Sequence, residues 1–225
     1  MKLNQLSVAE IKRLSKTRCE HRQTFLSHFN CYRKLHEKPP RVLMVDLETT
    51  AHRGFFWGRS FETNIIRTTE YGKILSYAAN WLGEKIIVRG WDDFKKDKER
   101  SLVKELRELF DKADYICGHN LKSFDNKWVN SRMLYYGLPI PSPYKVLDTK
   151  IIAKRYLNIP SYKLNDIAHY FGLGKKLDHE GFILWEKCIA GNKKAWRRMK
   201  SYNKIDNELL EKVYLKLRKF DPKLP

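Results

Sequence analysis

Arg41-Val42-Leu43-Met44-Val45-Asp46-Leu47-Glu48 is a nearly continuous apolar run that ends on two acids separated by one leucine. Such a run reads as a strand buried on both faces at the centre of a sheet. Side chains two apart leave the same face of a strand, so Asp46 and Glu48 project together. Two carboxylates on one face of a buried strand are costly unless a cation holds them. A second reading ends the strand at Val45 and leaves both acids solvated in a loop.

Working outward, Pro39-Pro40 sets a boundary just upstream of the run, because proline cannot continue a helix or a central strand. It divides the chain into an appendage, 1–40, and a main domain, 41–225. In the appendage, Ser7-Val8-Ala9-Glu10 has the form of a capping box opening a short basic helix to about Arg18. Downstream, 51–73 is polar apart from Phe55-Phe56-Trp57-Gly58. Strand character at 74–82 and 85–91, joined by Gly83-Glu84, predicts a hairpin. Leu102, Val103, Leu106, Leu109 and Phe110 mark an amphipathic helix over 95–112. A short strand at 114–118 follows, then helices at 124–136, from Asp148, at 163–171, 187–200 and 203–219. This order predicts an α/β fold with a mixed sheet flanked by helices.

The charge balance narrows the partner. Lys and Arg outnumber Asp and Glu by 45 to 26, a formal +19 on 225 residues. A domain this basic repels itself, and a polyanion is the usual reason to tolerate that. Six Trp, twelve Tyr and eleven Phe supply faces for unpaired bases, so nucleic acid is favoured over a membrane surface. The basic run 193–200 either lines the path of a strand or is a solvated helix face. No apolar stretch has the length of a membrane span. Met1-Lys2-Leu3-Asn4-Gln5 lacks the apolar core of a signal peptide, so a cytoplasmic protein is expected.

Four cysteines in a chain this long do not make a disulfide scaffold. Cys117 and Cys188 read as small buried hydrophobes. Cys19, His21, His28 and Cys31 follow the pattern Cys-x-His-x6-His-x2-Cys. They offer zinc a Cys2His2 set, with His36 as an alternative ligand; the other reading is reduced cysteines under a small helix.

Two further acids stand out. Tyr202 and Asp206 lie on one stripe with Leu209, Val213 and Leu217, which puts Asp206 on the core side of the last helix. Otherwise Asp206 merely closes that helix's first turn, where acids are favoured. Asp125 opens the helix after His119-Asn120-Leu121-Lys122-Ser123-Phe124 and would complement the dipole there in any protein. Asp148, in Val146-Leu147-Asp148-Thr149, is a rival metal ligand, but a helix N-cap explains it better.

Asp46-x-Glu48 on a strand, Asn120-x-x-x-Phe124-Asp125, and Tyr202-x-x-x-Asp206 on a C-terminal helix together resemble the three exonuclease motifs of the DEDD superfamily. That superfamily has an RNase H-like fold and includes proofreading domains of DNA polymerases. Tyr202 resembles its tyrosine branch; the histidine branch carries a His where Ser201 stands. The resemblance covers roughly 41–219 and extends to stand-alone exonucleases of bacteria and phages, so a bacterial or phage-infected host cytosol is expected. It implies a 3′→5′ exonuclease that releases 5′-mononucleotides from single-stranded DNA or RNA with two Mg²⁺ or Mn²⁺ ions. Asp46 would bridge both ions, with Glu48 and Asp206 on the ion that activates water and Asp125 on the other. Tyr202 would orient the attacking water, and Thr49, Asn120 and Phe124 would approach the terminal nucleotide. Two rival functions share the fold: a non-catalytic nucleic-acid-binding module and a structure-selective endonuclease. A replication or repair protein is the kind of protein partner that the exonuclease resemblance implies.

Overall fold

The apolar run is the middle strand of a five-stranded sheet. In the computed structural model, which describes residues 6–19, 22–27, 32, 39–57, 65–177, 180–221 and 223–225, β1 (Val42–Thr49) pairs antiparallel with β4 (Ile74–Trp81) and parallel with β6 (Tyr115–Gly118). With β5 (Ile87–Gly90) and β7 (Lys145–Asp148) the order is β5-β4-β1-β6-β7. The sheet is therefore antiparallel on one side of β1 and parallel on the other. β2 (Arg53–Phe56) and β3 (Ile65–Glu70) form a separate two-stranded sheet within the 51–73 stretch that reads as polar with an aromatic patch.

The two faces of β1 lead to different cores. Leu43, Val45 and Leu47 pack with Leu102, Leu106 and Phe110 of α2 (Lys98–Asp111) and with Val129 and Met133 of α3 (Asp125–Tyr135). Val42 and Met44 pack on the opposite face with residues of α4 (Thr149–Tyr156), α5 (Leu164–Tyr170) and α7 (Lys193–Leu217). A third cluster joins Leu75 to α6 (Ile183–Ile189) and to the first half of α7. Asp46 and Glu48 continue the face begun by Val42 and Met44, so they point towards α7.

α7 is one helix of 25 residues. The sequence reading breaks the chain near Ser201 and joins 187 to 200. Instead the break falls at Gly191-Asn192, where Gly191 takes a positive φ of 83° and Asn192 accepts the Lys194 and Ala195 N–H groups. A cap and a left-handed glycine outweigh continuing helix propensity there.

Two compact units divide at the proline pair, Met1–Pro40 and Arg41–Pro225. In the first, the reciprocal Ser7–Glu10 capping box opens α1 (Val8–Leu14), which stops short of Arg18 at Ser15. Phe25 and Tyr32 meet edge-on at 5.9 Å. Cys19 is buried; the other zinc candidates His21, His28 and Cys31, and the alternative His36, lie outside the described residues. No helix among the described residues is long and apolar enough to cross a membrane.

Candidate active site

β1 outruns its parallel partner. It pairs with β6 only over Val42, Leu43 and Met44, so the backbone beyond Met44 needs other partners on that side. Asp125, at the first position of α3, supplies one: its Oδ1 accepts the Leu47 N–H at 3.1 Å. The far end of β1 thus opens at the switch from antiparallel to parallel pairing, where sheets of this kind place ligands.

Three carboxylates meet at that end. Oxygens of Asp46, Glu48 and Asp206 lie within 4.8 Å of one another. Asp206 comes from the core-facing stripe of α7 and is 1% exposed. The residues opposite the two β1 acids on β4 are small, Ala78 across from Asp46 and Ser76 across from Glu48, which leaves α7 room to approach. Asn203, one turn before Asp206, donates from Nδ2 to Asp46 Oδ2 at 2.7 Å and is itself held by Ser76 Oγ at 3.2 Å. Asn203 carries no motif that marks it in the sequence, although its spacing of three from Asp206 puts both on one helix face.

Two other neighbours are invisible from sequence spacing. Lys176 makes an ion pair with Asp206 and lies 5.5 Å from the Tyr202 ring centroid. Trp185 of α6 hydrogen-bonds Glu48 and meets Tyr202 edge-on at 6.1 Å. Neither belongs to a periodic pattern that points at the acids; packing alone brings each of them there.

The acids raise one another's proton affinity. Burial, then the charges of Glu48, Asp206 and Asp125, hold Asp46 well above the usual carboxylate range, and Lys176 opposes the shift. Burial and Asp206 push Glu48 to about 8. Asp125 rises to about 7, chiefly through burial, against the lowering effect of its backbone hydrogen bonds. Tyr202 donates to Asp206, and burial beside the acids drives its hydroxyl up, so it stays protonated. Such a cluster is short of positive charge, and its hard oxygens fit Mg²⁺ or Mn²⁺.

Asp125 stands beside this group without joining the three. The structure gives it the role of tying α3 to β1, while its charge still reaches Asp46 and Glu48. Thr49 sits at an irregularity where the β1–β4 register shifts. Asn120 adopts a positive φ of 65°; its N–H donates to Asp148 Oδ1 at 3.0 Å, and its side-chain oxygen accepts from Lys150 Nζ at 3.3 Å. It fastens the β6–α3 loop. Phe124 is 39% exposed, with its ring tilted towards Trp128. Asp148 caps α4 and accepts the Asn120 and Lys122 N–H groups, which absorbs its carboxylate.

Fold and site together define an α/β protein with a mixed sheet and a metal-capable acidic centre at the end of its middle strand. Residues 61–218 match the RNase H superfamily model, and the chain belongs to that superfamily. The matched span contains Asp125, Tyr202 and Asp206 and begins after Asp46 and Glu48. Among solved structures, the family B DNA polymerase of the hyperthermophilic archaeon Pyrobaculum calidifontis is similar in fold, with a TM-score of 0.61 at 18% identity. The similarity covers 81% of this chain and 25% of the polymerase chain. No curated protein matches the sequence.

Proposed function

We propose that the chain is a metal-dependent 3′→5′ exonuclease of the tyrosine branch, acting on single-stranded DNA or RNA. The observation that carries this reading is the meeting of Asp46, Glu48 and Asp206 within 4.8 Å beside a protonated Tyr202. RNase H superfamily membership supports hydrolysis of a nucleic acid, and likeness to part of a DNA polymerase supports an editing-type module. Ser201, at the position that would carry the His of the other branch, supports the assignment of Tyr202.

Asp46, Glu48 and Asp206 would hold divalent ions, with Asp125 contributing to a second one. Bound there, such ions supply charge stabilisation for the attacking and leaving oxygens of a phosphodiester. The remaining steps belong to the protein. Asn203 fixes the Asp46 carboxylate by a 2.7 Å hydrogen bond, so one ligand is oriented before metal arrives. Tyr202 orients the attacking water as a hydrogen-bonding partner rather than as a base, because its proton is held tightly. Water adds to phosphorus, the 3′ oxygen of the penultimate nucleotide leaves and takes up a proton, and a 5′-mononucleotide departs.

Asp46→Ala tests the reading. Hydrolysis of a single-stranded oligonucleotide in Mg²⁺ should fall by several orders of magnitude, with binding of the same strand nearly unchanged. Full activity in that variant would remove Asp46 from the site.

A further inference from the structure

On the flank of α3 lies an open cavity of about 540 Å³ whose walls are largely aromatic and whose lining includes Lys127. The geometry points to a subsite for one unpaired nucleobase, built from His52, Tyr71, Phe124, Trp128 and Tyr135. This rests on the reading of the chain as a nuclease of single strands.

The aromatic groups are held in place rather than scattered. The His52 imidazole stacks on the Trp128 indole with centroids 5.5 Å apart and planes 23° apart. The Gly72 N–H donates to His52 Nδ1 at 3.0 Å, which fixes the ring. Gly72 has no space for a side chain: a Cβ would stand 2.5 Å from the Thr50 carbonyl oxygen and 2.7 Å from Trp128 Cη2. The 71–73 turn therefore crosses directly over the indole edge. On the other side, the Arg132 guanidinium lies 4.2 Å from the Tyr135 ring centroid while bonding both oxygens of Glu99, at 2.6 and 2.5 Å. The floor is thus rigid and its ion pair neutral.

Faces remain open above this frame. Tyr71 and Tyr135 are 71% and 70% exposed, a poor use of apolar area unless something flat covers them. A base offers a π-face to such rings whatever its identity. The chain's +19 charge and Lys127 in the lining favour a polyanion over the apolar side chain of a protein partner. Two wall residues are chain neighbours of the acids: His52 follows Glu48 by four residues, and Phe124 precedes Asp125. A strand whose 3′ end reaches the carboxylates would lay an inner base here, and a base-paired strand could not without opening.

The test is a binding scan that needs no catalysis. Single-stranded oligonucleotides with one abasic residue, stepped inward from the 3′ end, are titrated against Asp46→Ala protein in EDTA. One position should weaken binding by about fivefold or more, the scale of a lost base stack. That loss should vanish in Tyr71→Ala and Tyr135→Ala, whose exposed rings can be removed without touching the core. Affinity indifferent to every abasic position and to both substitutions would overturn the subsite and leave the cavity to a protein. If the parent chain still degrades oligonucleotides in that case, the nuclease reading stands without it. If instead the parent degrades nothing, the function falls and the scan still decides the subsite.

Discussion

Asp46 and Glu48 illustrate how a pair of side chains becomes readable. Their spacing on a strand fixes a common face, and two charges on a common face of an apolar sheet are costly unless a cation or retained protons neutralise them. Asp206 was legible for the same reason on a helix: it lies on the stripe of Leu209, Val213 and Leu217 and is buried. Asp125 is different, since an acid at a helix start is ordinary, and its bond to the Leu47 N–H shows a structural use no spacing reveals. Lys176 and Trp185 come from a segment without periodicity, so only packing brings them in. The charge imbalance at this centre has a measurable sign. Glu48 near 8 and Asp125 near 7 bind protons in the folded state that the unfolded chain has released by about pH 5. Stability from these groups is therefore full below the unfolded carboxylate range and is lost as pH rises through about 7 to 8. In EDTA the melting temperature should fall between about pH 5 and 9, and Mg²⁺ or Mn²⁺ should restore it more at the alkaline end. Thermal melts at matched ionic strength read this directly; a metal effect independent of pH would contradict it.

At the scale of elements, strands with one environment on each face were easy to read and strands with none were not. The β4–β5 hairpin follows from two apolar runs around Gly83. β2 is exposed at every position and, among the described residues, pairs only with β3, so it carries no buried face for a sequence pattern to betray. β7 is four residues long and half exposed, too short for alternation to register. In α7 the helical stripe continues unbroken through Ser201 into the core, and the true stop is the Gly191-Asn192 cap. One buried carboxylate adds a polar tie between α2, α3 and β4 to their apolar packing. Glu99 accepts from Arg132, from the Tyr136 hydroxyl at 2.6 Å and from the Ile74 N–H at 2.9 Å. Glu99→Ala leaves a guanidinium that is only 9% exposed without its partner, and should cost about 3–5 kcal/mol. Urea unfolding measures it; a loss under about 1 kcal/mol would mean that solvent replaces the carboxylate.

For the whole molecule, composition pointed to a polyanion and the motif order to an RNase H-like fold, and the chain belongs to that superfamily. The chain forms two compact units, Met1–Pro40 and Arg41–Pro225, while the zinc expectation for the first falls largely on residues beyond those described. What composition could not supply is direction along a strand. That depends on how the acids at the open end of β1 meet a terminus rather than an interior phosphate. The central claim is that they act on a 3′ end. A single-stranded DNA or RNA oligonucleotide labelled at its 5′ end, incubated with the chain in Mg²⁺ beside a circular single strand, tests it most directly. The labelled strand should shorten one nucleotide at a time into a ladder that keeps its label, and the circle should stay intact. Cutting of the circle, or early release of the label as a mononucleotide, would contradict the account.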